Sequence, residues 1–127
     1  MDISKIRLAD KSEQGSTLIV LDPVTGVETD FKIKLAGTDS FIYRNWLKRM
    51  SNKKLGNFKK KGFSYEESER SSVELLAELT LGWEGLEADG EPIVYSREKA
   101  MELYSDPNMK WLREQVDEFV GERANFF

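Results

Sequence analysis

From residue 27 to residue 35, apolar and polar side chains alternate without a break. Val27, Thr29, Phe31, Ile33 and Leu35 are interleaved with Glu28, Asp30, Lys32 and Lys34. Alternation of period two sends one set to a buried face and the other to water, which predicts a half-buried strand. Residues 17–22 upstream form an aliphatic and β-branched run able to pair with it. Between the two lies Asp22-Pro23-Val24-Thr25-Gly26, where Pro presets a turn φ and Gly accepts a positive one. The pattern predicts a hairpin, and Ile3, Ile6 and Leu8 offer a third short strand. A lone hairpin is marginal in water, so its apolar face needs a cover.

The cover reads as helical. Tyr43, Trp46, Leu47 and Met50 fall at i, i+3, i+4 and i+7, one stripe of a helix that starts near Thr38 or Asp39 and stops at Leu55-Gly56. Trp46 is expected in the core. Ser64-Tyr65-Glu66-Glu67 has the form of a capping box, opening a helix that ends near Gly82 with Leu75, Leu76, Leu79 and Trp83 on one side. A short strand is expected at Ile93-Val94-Tyr95. Ser96 can cap a brief helix with Ala100, Met101 and Tyr104 inward. Asp106-Pro107 then starts a last helix, since Asp caps and Pro suits the first helical position. Its stripe is Met109, Leu112, Val116, Phe119 and Val120, and Gly121 closes it. The expected fold is α+β, a single domain over residues 1–127 with an N-terminal hairpin packed on about four helices. Residues 1–36 are mainly β and 38–127 mainly α, with a connector at 56–63 and a loop at 84–95.

Composition narrows the chemistry. The chain has 127 residues, 39% hydrophobic and 33% charged, and no Cys or His. That mixture suits one folded domain and excludes thiol nucleophiles, disulfides, His-based triads and zinc sites built from Cys or His. The longest apolar run, Leu18 to Leu21, is far short of the roughly 20 residues that span a membrane. The charged N-terminus does not resemble an export signal, so an intracellular address is expected.

Charge is distributed in blocks. Seven bases and no acid lie between Lys48 and Lys61, within a chain of net charge −4, and an acidic stretch follows at Glu84, Glu87, Asp89 and Glu91. Segregated charge suggests surfaces that meet a partner. The acids lack the spacing of a calcium loop, so a solvated loop accounts for them and no metal or cofactor is expected. Ser96-Arg97-Glu98-Lys99 matches only the bare Ser-x-x-Lys pattern, and a helix cap explains Ser96 better. The bases could neutralise phosphates, with Phe58 or Phe63 stacking on a base, but the net negative charge argues against nucleic acid. A solvated connector or a docking loop is the better account, which makes Lys59, Lys60 and Lys61 candidate partner contacts. Trp111 lies off the last helical stripe, and Trp is enriched in binding hot spots. Phe126 and Phe127 form an end that is tucked into the core or kept for a partner, and the partner is favoured.

Leu81-Gly82-Trp83-Glu84-Gly85-Leu86, then Asp89-Gly90-Glu91-Pro92-Ile93 and Tyr95-Ser96-Arg97-Glu98, resemble a small family of phage tail assembly chaperones. The Pro-initiated last helix and Arg123-Ala124-Asn125-Phe126 fit the same pattern, so the resemblance covers roughly residues 80–127. It implies a non-enzymatic protein that holds the tape-measure protein soluble while tail tube subunits polymerise, with the tail tube protein as a further partner. It also implies self-association, a place in the host cytoplasm and absence from the mature virion. Genes of this type often yield a longer frameshifted product, and the codons for Asn125-Phe126-Phe127 can contain a slippery uridine run. Two other readings compete. A structural tail-completion or connector protein would be found in purified particles. A small nucleic-acid-binding regulator using the basic segment would show steeply salt-dependent binding.

Overall fold

The hairpin is present. In the computed structural model, which describes residues 1–58 and 65–127, β1 (Ser16–Leu21) pairs antiparallel with β2 (Glu28–Leu35), placing Leu18 opposite Ile33 and Ser16 opposite Leu35. The alternation read from β2 holds: Phe31, Ile33 and Leu35 are buried and the charges between them exposed. Val27 lies before the strand and is exposed. Asp22 Oδ1 accepts the N–H groups of Val24 (2.8 Å) and Thr25 (3.0 Å), an Asx-type turn that keeps the hairpin loop closed.

The third strand comes from elsewhere. Ile3, Ile6 and Leu8 do not extend the sheet: Ile3–Lys5 is a 3-10 turn capped by Asp2, and α1 spans Leu8–Gln14. Leu8-Ala9-Asp10-Lys11-Ser12-Glu13-Gln14 lacks β-branched residues and suits a helix better than a strand. The sheet is completed by β3 (Thr80–Glu84) on the far side of β2, in the order β1-β2-β3. Trp83, expected on a helix, therefore sits on a strand opposite Ile33. Helix α3 (Tyr65–Leu79) stops one turn early because the Thr80 hydroxyl donates back to the Leu76 carbonyl (2.7 Å) and the open edge of β2 takes the chain onward.

The cover is helical as expected, with α2 (Phe41–Phe58), α3, α4 (Arg97–Ser105) and α5 (Lys110–Gly121). Ser40 Oγ and Glu13 Oε2 accept N–H groups from the first turn of α2, so α1 positions that helix start. Two features of α2 differ from the sequence pattern. It runs to Phe58, past Gly56, so the first residues assigned to the connector are helical. Of the stripe read from the sequence, Tyr43 packs on the core beside Ile42 and Met50 is buried, whereas Leu47 is exposed and Trp46 is only half-buried, stacked on Tyr43 with ring centroids 6.3 Å apart. Lys59, Lys60, Lys61, Phe63 and the cap at Ser64 lie outside the described residues.

Between α3 and α4 the acidic loop folds into a miniature hairpin, β4 (Glu87–Ala88) and β5 (Glu91–Pro92), whose turn residues Asp89 and Gly90 both have positive φ. The strand expected at Ile93–Tyr95 thus lies two residues earlier, ending where Pro92 withholds an N–H from the ladder. Ser96 caps α4 through the Lys99 N–H (3.0 Å), as expected. Asp106 and Pro107 open a 3-10 turn, Pro107–Met109, that leads into α5. The core joins Val20, Phe31, Ile33 and Leu35 of the sheet to Leu76, Tyr104, Leu112 and Val116 of the helices.

Polar groups stitch these layers. Tyr104 is fully buried, with its hydroxyl 2.8 Å from Thr80 Oγ1. Because Thr80 spends its one proton on Leu76, Tyr104 is the donor of that pair, and burial pushes its phenol up to about 12. Tyr95 donates to the Thr80 carbonyl at 2.7 Å. Tyr104→Phe is expected to cost about 1 kcal/mol, the net value of one hydrogen bond. Thr80→Val should cost more, about 1–3 kcal/mol, because it strands the buried Tyr104 hydroxyl. Urea unfolding of the two variants checks the order.

Glu78 on α3 receives Arg97 of α4 at 2.7 Å and Arg49 of α2 at 2.9 Å. The hydrogen bond from Arg97, aided by the charges of both arginines, holds its carboxyl below the usual range. The folded form therefore gains stability above the ordinary glutamate pKa and loses it as pH falls through the depressed one. Both arginines are more than half exposed, so the pair is expected to contribute less than about 1 kcal/mol. Glu78→Gln should flatten the acid limb of a stability-versus-pH curve, measured by the urea midpoint.

Candidate functional site

The residues that carry the family resemblance are spent on structure. Trp83 packs edge-on against Tyr95 (5.0 Å) and Phe31 (6.2 Å), and its Nε1 donates to the Ile93 carbonyl at 2.9 Å. Gly85 has φ +80, and a Cβ there would lie 2.0 Å from the Asp30 carbonyl oxygen. The C-terminal segment is anchored in the same way. Arg123 makes a forked pair with Asp39, at 2.9 and 3.3 Å, and Asn125 Nδ2 donates to the Phe119 carbonyl at 2.9 Å. Phe126 packs edge-on against Phe119 at 5.6 Å.

Of the two places open to the terminal aromatics, the structure puts Phe126 in the interior, at 5% exposure, and leaves Phe127 60% exposed. Trp111 is half-buried against the core at the first turn of α5. The rise of that helix separates Trp111 from its far end by about 15 Å. Phe127 follows that end after the 3-10 turn Arg123–Phe126.

Apolar exposure is concentrated elsewhere. At the end of the hairpin Val24 is 91% and Val27 64% exposed, Ile19 and Leu21 form a strip on the outer face of β1, and Ile3 and Val94 are exposed apart from it. The sequence held a signal for this: a five-residue turn needs no valine at either side of Thr25-Gly26. The strip borders a groove of about 550 Å³ between β1 and α5, floored by Leu18 and Phe119. On its rim stand Glu28, Glu118 and Glu122. Helix α2 adds a second apolar surface at Phe41 and Leu47, with the Arg44 guanidinium 5.4 Å from the Phe41 ring centroid.

Among the described residues no group of three or more acidic side chains is arranged to hold a metal ion. No described helix is long and apolar enough to cross a membrane.

No family model, curated protein or solved structure matches the chain.

Proposed function

We propose that this chain is an assembly chaperone of the phage tail type, which binds the tape-measure protein and keeps it soluble until tail tube subunits enclose it. On this reading it acts in the host cytoplasm, performs no chemistry and leaves before the virion is complete. The observation that carries the proposal is the aliphatic exposure of the first hairpin, Ile19 and Leu21 on the outer face of β1 and Val24 and Val27 at its end, on a hairpin whose other face is fixed in the core. Several exposed apolar residues on one element mark a surface that is covered in use. A tape-measure protein presents long apolar helical faces before assembly, and a strip of this kind can mask them. The resemblance over residues 80–127 supports the same reading from a different part of the chain.

Co-expression with the tape-measure protein of the same operon provides the test. The expected result is a soluble complex that co-purifies, and that is lost when Val24 and Val27 are both changed to Asp. An insoluble, unbound tape-measure protein, together with recovery of this chain in purified particles, would replace the proposal with a structural virion role.

A further inference from the structure

β1 is the outer strand of its sheet, so among the described residues no strand lies beside one side of its backbone. The groove opens along that side. Leu18 points toward the interior and Ile19 and Leu21 point outward, yet all three line it. Side chains of opposite orientation share a concavity only where it lies on the strand's edge.

The edge is already engaged at one residue. Gln115 of α5 accepts the Leu21 N–H through Oε1 at 3.0 Å and donates from Nε2 to the Leu21 carbonyl at 2.8 Å. Those are the two bonds that a residue of an adjoining antiparallel strand would exchange with Leu21. The side-chain amide is a one-residue surrogate for a fourth strand. An exposed primary amide is also easily exchanged for a peptide group, because the bonds lost and gained are of the same kind.

The rim gives the chemistry of the guest. Glu28 and Glu118 make no ion pair or side-chain hydrogen bond among the described residues, and Glu122 accepts only the Ala124 N–H at 3.3 Å. Three carboxylates beside an apolar floor complement aliphatic side chains flanked by cations.

We propose that the β1 edge and α5 form a strand-acceptor site for an extended segment in which aliphatic residues alternate with lysine or arginine. The segment pairs with β1 as a fourth strand and displaces the Gln115 amide from Leu21. Its aliphatic side chains cover Leu18 and Phe119, and its cations meet Glu28, Glu118 and Glu122. Main-chain bonds supply affinity and the alternating side chains supply selection, as in other strand additions. The site is defined by the sheet edge and does not depend on the tape-measure reading.

The probe is a fluorescent peptide, Lys-Val-Lys-Val-Lys-Val-Lys, titrated into the full chain and followed by anisotropy. Saturable one-to-one binding is expected, with affinity lowered about tenfold by methylating alternate backbone nitrogens, the equivalent of one or two lost hydrogen bonds. The Glu118→Lys/Glu122→Lys variant should bind at least about tenfold more weakly, and a control peptide with Glu in place of every Lys should not bind. Gln115→Ala removes the competing amide and should tighten binding about threefold to tenfold, a gain that a residue merely needed for folding cannot produce. Melting curves confirm that each variant is folded. Equal affinity for the methylated peptide would show charge attraction without strand pairing and overturn the proposal. Absence of saturable binding to the unaltered chain would overturn it as well. Neither result bears on whether the tape-measure protein is held through the hairpin tip.

Discussion

Gly85→Ala is expected to lower stability by about 3–5 kcal/mol, among the largest effects a single added methyl can have here. Two causes combine. The residue sits at φ +80, where an L side chain is strained by about 1–3 kcal/mol. The added Cβ would also fall 2.0 Å from the Asp30 carbonyl oxygen and 2.7 Å from its carbon, and both are backbone atoms of β2 that cannot swing aside. Gly90→Ala separates the two causes. Its φ is +79, but nothing lies within 4 Å of the built Cβ, so only the conformational strain applies and a loss of about 1 kcal/mol is expected. Urea unfolding of both variants measures the difference. Equal losses would mean that the chain does not approach Asp30 as described.

Leu112→Asp should abolish the folded state. Leu112 is fully buried in α5, within the cluster that joins the sheet to α3 and α4. An uncompensated buried charge costs about 3–5 kcal/mol, and losing the aliphatic packing adds to that. The total is comparable to the whole stability of an ordinary domain, about 5–15 kcal/mol. No cooperative transition is expected in circular dichroism on heating. Leu112→Ala, at about 2–5 kcal/mol, should still melt cooperatively at a lower temperature. A normal melt for the Asp variant would place Leu112 at a surface.

These two positions differ in how far the sequence reveals them. Leu112 stands on a helical stripe with Val116 and Val120, and periodicity alone places all three inside. The β2 alternation, the Ser96 cap and the Asp106-Pro107 start are legible for the same reason: each is a local pattern with a local cause. Gly85 is not legible, because the approach of Asp30 is a long-range contact with no trace in its neighbours. β3 was hidden by a competing local signal. Leu75, Leu76, Leu79 and Trp83 keep a helical spacing, but residues from Thr80 onward can exchange helical hydrogen bonds for the free edge of β2, and tertiary pairing wins. Trp46 misled in the opposite sense. It sits on an apolar stripe whose Tyr43 and Met50 do turn inward, but α2 tilts Ile42 toward the core and leaves Trp46 half-buried and Leu47 exposed. Phe126 is interior, and Val27, which the alternation assigns to the buried face, is exposed because β2 begins only at Glu28 and the turn carries Val27 beyond the core. The Gln115–Leu21 pair joins residues 94 positions apart, which no pattern along the chain can announce.

The distance along the chain between β2 and β3 has a kinetic consequence. The first hairpin closes through a short turn, and such hairpins form in about 1–10 μs. Its partner β3 begins only at Thr80, after the whole of α2 and α3. During synthesis at about 5–20 residues per second, β2 therefore waits some seconds with an open edge before residue 84 leaves the ribosome. Lysines at 32 and 34, alternating with the buried positions, put charge on that waiting strand and discourage edge-to-edge aggregation of nascent chains. Trp83 joins the sheet in the same step, so its indole fluorescence should report the last stage of sheet completion and lag the backbone signal of the hairpin.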